Sequence, residues 1–170
     1  LSKNHTGTDD GFTDDEFTEL LKEYGAYRAY DLEEFIYMLL VVEHTKNIEN
    51  VRNFASVNLS GGEANISTET GAAFGINFPD FSEKVAEYLI ERLPSYAHIS
   101  NPLDMTVTLS YDEVAFSDAI DLIMNEENID AVIIGYTLLR QIDDPCIYYL
   151  IKAIKLLREK RKARMKPIFI

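Results

Sequence analysis

Apolar residues in the first 45 positions recur at the three- and four-residue spacing of amphipathic helices. Thr13 and Glu16 form a capping-box pattern ahead of the first apolar stripe, and Gly25 can end that helix in a left-handed conformation. Asp31 and Glu34 repeat the capping pattern ahead of a second stripe. The pattern therefore predicts two helices joined by a short connection.

The pattern changes at Asn53, where apolar runs begin to alternate with helical stripes. Before it, residues 26–30 are predicted to form a turn or short strand, and the polar stretch 44–52 a linker. The apolar runs predict strands at residues 54–59, 75–78, 131–135 and 167–170. Helices are predicted to begin after Ser60-Gly61-Gly62, at Ser82, at the Ser110 and Glu113 pair, and at Pro145. The segment Asn101-Pro102-Leu103-Asp104 is predicted to be a turn.

Strands separated by helices imply right-handed crossovers and an α/β fold with a parallel, doubly wound sheet. We expect this sheet domain to occupy residues 53–170 and the two-helix segment to occupy residues 1–45. Ligands of such sheets bind at the carboxyl ends of strands. The loops that follow Leu59 and Gly135 are therefore the candidate ligand site.

Charge narrows the range of partners. A formal net charge of -13 argues against nucleic acid, whose phosphates are bound by excess lysine and arginine.

No apolar stretch approaches the roughly 20 residues of a membrane span, and no signal-peptide pattern opens the chain, so we expect a cytoplasmic protein without a membrane partner. The start at Leu1 and the apolar run to Ile170 lead us to expect a segment of a longer protein.

Few residues suggest metal or thiol chemistry. The single cysteine, Cys146, cannot form an internal disulfide, and its expected role is that of a small buried apolar residue. His44 and His98 have no partner at metal-ligand spacing. We therefore predict no metal site within this chain.

Ser60-Gly61-Gly62 lies between a predicted strand and a predicted helix. Such a loop can cradle a phosphate or an acyl carboxylate, because glycine lets the backbone approach an anion and the helix start offers unpaired N–H groups. An ordinary tight turn uses glycine equally well, and the sequence leaves both interpretations open. Glu63 would partly repel a bound phosphate.

Two other features carry weaker signals. His5, in the polar stretch His5-Thr6-Gly7, is either a solvated side chain or a nucleophile toward phosphorus. The basic residues between Lys155 and Lys166 could meet CoA phosphates or an acidic subunit. Alternatively they complement a helix carboxyl end on a solvated face.

Four stretches in order resemble landmarks of the ADP-forming acyl-CoA synthetases, relatives of succinyl-CoA synthetase that include the acetate-CoA ligases. That family typically shows K-S-H-T-G, S-G-G, N-P-[LV]-D-[LMV]-T and D-A-V. The matching stretches are Lys3-Asn4-His5-Thr6-Gly7, Ser60-Gly61-Gly62-Glu63-Ala64, Asn101-Pro102-Leu103-Asp104-Met105-Thr106 and Asp130-Ala131-Val132-Ile133-Ile134. The resemblance implies a flavodoxin-like CoA-ligase domain at residues 53–170, truncated at its carboxyl end, after the phosphohistidine tail of an alpha-type part.

The same resemblance implies a set of site residues. His5 corresponds to the phosphorylated histidine, and Ser60, Gly61 and Gly62 form the ligand loop. A second helix start is expected near Tyr136 and Thr137, and Asn101 and Asp104 belong to the ligand-side turn. CoA, a carboxylic acid, ATP or ADP and Mg²⁺ would serve the full enzyme, together with ATP-grasp and CoA-binding domains or subunits in an oligomer, and this segment alone would bind no cofactor and be inactive.

Two rival interpretations remain open. Thr8-Asp9-Asp10-Gly11 replaces the small apolar residues that usually follow H-T-G, and carboxylates beside a phosphohistidine disfavour its dianion. A non-catalytic scaffold or regulatory subunit of the same fold is therefore the first alternative. A flavin-binding or receiver module is the second, although the first strand is followed by neither a Thr/Ser-rich loop nor an acidic pair.

Overall fold

The computed structural model describes residues 13–46, 48–137, 145–161 and 165–170. The chain divides into two compact units, Leu1–Ile48 and Glu49–Ile170. Each unit is described by itself.

The first unit contains helix α1 (Asp14–Glu23) and helix α2 (Leu32–His44), as the apolar spacing predicts. Thr13 caps α1 with a complete capping box, since its hydroxyl accepts from the Glu16 N–H and the Glu16 carboxylate accepts from the Thr13 N–H. Asp31 caps α2 by accepting from the Glu34 N–H. The connection at residues 26–30 contains no strand.

Arg28, which lies in this connection, forms hydrogen bonds with α1. Its guanidinium donates to Asp14 Oδ1 at 2.6 Å and to Thr18 Oγ1 at 2.8 Å, and it lies over the rings of Phe17 and Tyr30. The hydrogen bond from Arg28 lowers the pKa of the Asp14 carboxyl below its usual value. Neither helix of this unit contains a buried residue, so local capping and surface pairs hold it in shape.

The second unit contains the predicted parallel sheet. A 3₁₀ turn (Ile48–Asn50) spans the boundary between the two units. The elements described in the second unit are β1 (Phe54–Asn58), α3 (Gly61–Phe74), α4 (Glu83–Ile90), β2 (Leu103–Asp104), α5 (Thr106–Ser110), α6 (Glu113–Met124), β3 (Ala131–Gly135), α7 (Pro145–Arg161) and β4 (Ile168–Phe169). The four strands are parallel in the order β2-β1-β3-β4. The predicted α/β fold class is confirmed.

Helices flank the sheet. Helix α3 contacts β1 and β2, whereas α6 contacts β3 and packs against α4 and α7. The connection from β1 to β2 crosses the sheet in one direction, and the connections from β2 to β3 and from β3 to β4 cross it in the opposite direction. Because parallel crossovers are right-handed, this reversal places α3 on one face and α6 and α7 on the other.

A buried apolar core joins the sheet to these helices. Leu89, Ile120, Ile123, Val132 and Leu157 are all fully buried within it. Close packing of branched side chains from four elements makes this core the main source of stability in the second unit. Among the described helices, none combines the length and apolar composition needed to cross a bilayer.

Helix α7 is also tied to α6 by charge. Lys160 pairs with Asp118, and Arg161 Nε lies 2.5 Å from Asp121 Oδ1. Lys166 Nζ donates to the backbone carbonyls of Glu126 and Ile129 beyond the end of α6. Burial lowers the pKa of Lys166. Lys160, Arg161 and Lys166 therefore contact α6 and the segment that follows it.

Two strand and turn predictions need correction. Residues 75–78 form no strand, because Gly75 is left-handed, Pro79 follows, and only Asn77 bridges to Asn53. The predicted turn at residues 101–104 is partly a strand, since Leu103 and Asp104 pair with β1.

The predicted cap of α6 also needs correction. Ser110 ends α5, where its hydroxyl donates to the Val107 carbonyl. Asp112 caps α6 instead, because its carboxylate accepts from the N–H groups of Val114 and Ala115 at 3.1 and 2.9 Å.

Candidate functional site at the carboxyl edge of the sheet

The last residues of strands β1, β2 and β3 are in register with one another. Asn58, the last residue of β1, is in register with Asp104 of β2 and with Gly135 of β3. The segments that follow these residues therefore emerge at one edge, which we call the carboxyl edge. The structure brings together there the loop of Ser60, Gly61 and Gly62, the residue Asp104, and the segment that begins at Tyr136.

Asn58 holds this edge in register. It is buried, and its Nδ2 donates to the Leu103 carbonyl at 3.2 Å and to Ser56 Oγ at 3.0 Å. Its Oδ1 accepts from Ser67 Oγ at 3.3 Å. A Cβ at Gly135 would overlap Asn58 Oδ1, so glycine is needed there for the close approach of β3. One amide thus joins β1, β2, β3 and α3.

Sequence reasoning missed Asn58. Ser56 and Asn58 are polar residues two apart in an apolar run, which places both on the same face of a strand. That spacing was a signal for a polar network on one face. Its partners Ser67 and Leu103 lie too far along the chain to be identified from the pattern.

The loop after β1 forms the start of α3 as predicted. Ser60 is the cap, since its hydroxyl accepts from the Glu63 N–H at 3.3 Å. Gly61 and Gly62 occupy the first turn, where backbone N–H groups have no acceptor within the helix. A Cβ at Gly61 would lie 3.2 Å from Asp104 Oδ2, so this glycine allows the loop to approach β2 closely.

Glu63 links the loop to the end of β3. Its Oε2 accepts from the Leu59 N–H at 3.0 Å, and its Oε1 accepts from the Thr137 hydroxyl. The carboxylate therefore engages donors that follow two different strands. From the sequence, Glu63 was expected only to repel a bound phosphate partly. Its contact with Thr137 was not predicted.

The helix start expected near Tyr136 and Thr137 stays a prediction, because the residues that follow them are not among those described. Neither residue is helical, and the helix described after β3 begins at Pro145. Tyr136 packs against the apolar core instead. Residues 138–144 lie outside the described part of the chain.

Asn101 and Asp104 have different surroundings. Asn101 acts on the backbone, since its Oδ1 accepts from the Ser56 N–H at 3.0 Å and its Nδ2 donates to the carbonyls of Phe54 and Pro79. Asp104 Oδ1 accepts from the Thr106 N–H at 2.9 Å. Asp104 lies at the carboxyl edge. Asn101 lies beside the middle of β1, where its hydrogen bonds to the β1 backbone hold residues 101–102 in place.

A cleft of about 700 Å³ lies between α3 and residues 96–106. Gly61, Asn101 and Asp104 line it, together with the exposed side chain of His98. Its lining contains no lysine or arginine. The cleft therefore offers backbone, amide and hydroxyl groups together with the Asp104 carboxylate and the His98 imidazole.

The histidine, metal and cysteine candidates have separate outcomes. His5, Asp9 and Asp10 lie outside the described residues. Within the described ranges, no three His, Cys, Asp or Glu side chains are placed to hold a metal ion. Cys146 is buried, with its Sγ 3.8 Å from Ser110 Oγ.

Comparisons with known proteins identify the fold. No family model matches the sequence, and a search of curated proteins found no match either. Among solved structures, the apo form of the dinucleotide-forming acetyl-coenzyme A synthetase 1 of Ca. Korarchaeum cryptofilum is similar, with a TM-score of 0.73 and 18% identity over 95% of this chain and 34% of that chain.

Two further structures agree with that comparison. PH0766 from Pyrococcus horikoshii OT3 has a TM-score of 0.69 and 16% identity, over 91% of this chain and 35% of that chain. The Korarchaeum enzyme in complex with phosphate and ADP gives 0.54 and 16%, over 92% and 36%. This chain spans about a third of the length of each. The resemblance drawn from the sequence is thus confirmed as a likeness of fold.

Proposed function

We propose that this chain is part of an NDP-forming acyl-CoA synthetase. The single observation that carries the proposal is the agreement of fold over 95% of the chain with an acetyl-CoA synthetase. The ordered stretches around His5, Ser60, Asn101 and Asp130 support it independently, because fold comparison does not depend on those short strings. The reaction would convert a carboxylic acid, CoA and ATP into acyl-CoA, ADP and phosphate.

In this proposal His5 carries the phosphoryl group. An imidazole nitrogen attacks the γ-phosphorus of ATP and ADP leaves, after which a substrate carboxylate attacks the same phosphorus and frees the imidazole. The acyl phosphate then reacts with the CoA thiolate, and phosphate leaves as the thioester forms. The first-turn N–H groups of Gly61 and Gly62 are suited to stabilise the phosphoryl oxygens.

The proposal assigns the cofactors to partners. Because no lysine or arginine lines the described cleft beside α3, the proposal gives the phosphates of CoA to a separate CoA-binding domain. An ATP-grasp domain would hold ATP and Mg²⁺ and supply the chemistry of phosphoryl activation. We place the assembly in the cytoplasm as an oligomer of such domains or subunits.

A non-catalytic scaffold of the same fold is the second candidate. The observation that favours it is the Glu63 carboxylate, which already accepts hydrogen bonds at the start of α3 where phosphate would dock. Asp9 and Asp10 add negative charge close to His5 in the sequence. Such a subunit would assemble with its partners without transferring phosphate.

Product analysis tests the proposal. The chain, assembled with its nucleotide-binding and CoA-binding domains, is supplied with ATP, Mg²⁺, CoA and a panel of short carboxylic acids. We expect ADP, phosphate and a thioester to form only when both acid and CoA are present. Release of AMP and pyrophosphate would contradict the proposed chemistry, and stable assembly without turnover would favour the scaffold.

A further inference from the structure

The cleft between α3 and residues 96–106 has one carboxylate in its described lining, that of Asp104. Its Oδ1 accepts from the Thr106 N–H at 2.9 Å, whereas its Oδ2 has no hydrogen-bond partner among the described residues. A Cβ at Gly61 would lie 3.2 Å from Oδ2, so the lack of a side chain at Gly61 leaves that oxygen uncovered. Asp104 therefore presents one held oxygen and one available oxygen to the cleft.

The backbone beside this carboxylate is strained. Thr106 has a φ of 54°, which lies in the left-handed region that β-branched residues rarely adopt. The Asp104 carboxylate accepts from the N–H of this same residue, so the carboxylate and the strained turn hold each other in place. An acceptor that is held before a ligand arrives loses little conformational freedom when the ligand binds.

The rest of the described lining suits a small organic molecule. One wall is a face of α3, on which Asn65, Thr68 and Ala72 recur at helical spacing, and the other wall includes Tyr96 and His98. The side chains of Asn65, Tyr96 and His98 are exposed and form no hydrogen bond with a described residue. A cleft of about 700 Å³ that combines apolar surface with a few such polar groups has the size and character of a small-molecule site.

Charge determines which small molecule the cleft favours. An ionised carboxylate only accepts hydrogen bonds, so a ligand of Asp104 must supply a donor, and an ammonium group supplies both a donor and the opposite charge. The net charge of -13 adds a long-range attraction for cations. A carboxylic acid or a phosphate would be repelled by Asp104. The favoured ligand therefore differs in charge from the substrates of the proposed reaction.

We propose that the cleft beside α3 binds a small primary ammonium compound with an apolar body. The ammonium group donates to Asp104 Oδ2, and the apolar body lies along the α3 wall. This binding site is additional to the proposed function and does not depend on it.

The experiment titrates three probes of similar shape into the ¹⁵N-labelled 170-residue chain at pH 7 and constant ionic strength. The probes are 2-phenylethylamine, 2-phenylethanol and phenylacetate, which are a cation, a neutral molecule and an anion. Amide shifts of Gly61 and Thr106 report binding in the cleft. We expect the amine to bind at least about tenfold more tightly than the alcohol, because its hydrogen bond to Asp104 is charge-assisted, and phenylacetate to bind more weakly than both.

Asp104→Asn removes the charge and retains an oxygen that can accept from the Thr106 N–H. We expect its affinity for the amine to fall at least about tenfold, to the level of the alcohol. Asp80→Asn is the matched control, because it makes the same charge change at an exposed position outside the described lining. The control should bind the amine as the unaltered chain does.

The comparison of the three probes needs no variant, so it tests the inference even if Asp104→Asn does not fold. Equal affinities for amine and alcohol, or no shift at Gly61 and Thr106 with any probe, would overturn the inference. Unchanged amine affinity in a folded Asp104→Asn protein, or an equal loss in Asp80→Asn, would also overturn it. Amine binding without ADP formation by the assembly would retain the inference and refute the proposed function, and the reverse pair of results would do the opposite.

Discussion

The two units of this protein reach order by different means. Helices α1 and α2 contain no buried residue and depend on caps and on the Arg28 contacts with α1. The sheet unit buries branched side chains from four elements and a polar network around Asn58. The comparison teaches that local patterns suffice to form helices, while the geometry of the candidate site depends on contacts between distant parts of the chain.

The largest expected effect separates the two units directly. Leu89 in α4 is 0% exposed, whereas Leu39 in α2 is 53% exposed. We expect Leu89→Ala to lower the free energy of unfolding by about 2–5 kcal/mol, through lost burial and an unfilled cavity. Leu39→Ala should change it by less than about 0.5 kcal/mol. Urea unfolding followed by NMR measures both, and an equal cost at Leu39 would show that α2 is buried in solution.

A glycine pair tests the close packing of the carboxyl edge. A Cβ at Gly135 overlaps Asn58 Oδ1, whereas at Gly62 the nearest atom is Ser60 Oγ at 3.8 Å. Gly135→Ala should therefore cost about 1–3 kcal/mol of stability by overpacking. Gly62→Ala should be neutral or stabilising, because alanine favours the helical conformation. Thermal unfolding of both proteins checks the pair, and equal stabilities would contradict the placement of Asn58.

The smallest effect concerns pH and the first unit. Arg28 lowers the pKa of Asp14, so the stability from this pair is fully present above the ordinary Asp value of 3.8 and is lost as pH falls through the lowered value. We expect Arg28→Met to weaken amide protection in residues 13–46 above that pH. The difference from the unaltered protein should shrink on acidification.

Lys46→Met is the matched control for this experiment, because Lys46 is exposed beyond the end of α2. Hydrogen exchange at a series of pH values provides the measurement. Glu16, whose pKa is lowered by hydrogen bonds from Thr13, titrates in both proteins, so its contribution cancels. A difference between Arg28→Met and the unaltered protein that persists below the titration range would rule out the pair as its source.

Sequence reasoning succeeded where structure is decided locally. The caps at Thr13, Asp31 and Ser82 were predicted, because each hydrogen bond spans three residues. The buried strand Ala131–Gly135 was predicted from its apolar run. These features fixed the number and order of most elements, and with them the fold class.

Prediction failed where a contact joins distant residues. The strand Leu103–Asp104 exists because its backbone pairs with β1, which no feature of a two-residue segment reveals. Thr137 and Glu63 are 74 positions apart, so their hydrogen bond could not be read from spacing. Ser110 was predicted to cap α6 from its pairing with Glu113, but Ser110 belongs to α5, so the cap of α6 is Asp112.

Transfer of labelled phosphate from ATP to His5 tests the central claim most directly. The chain, assembled with its nucleotide-binding and CoA-binding domains, is incubated with γ-labelled ATP and Mg²⁺, and His5→Asn serves as the control. The account predicts an acid-labile, base-stable label on the unaltered protein that is absent from His5→Asn. A folded, ATP-binding assembly that acquires no label, or one labelled equally in His5→Asn, would contradict it.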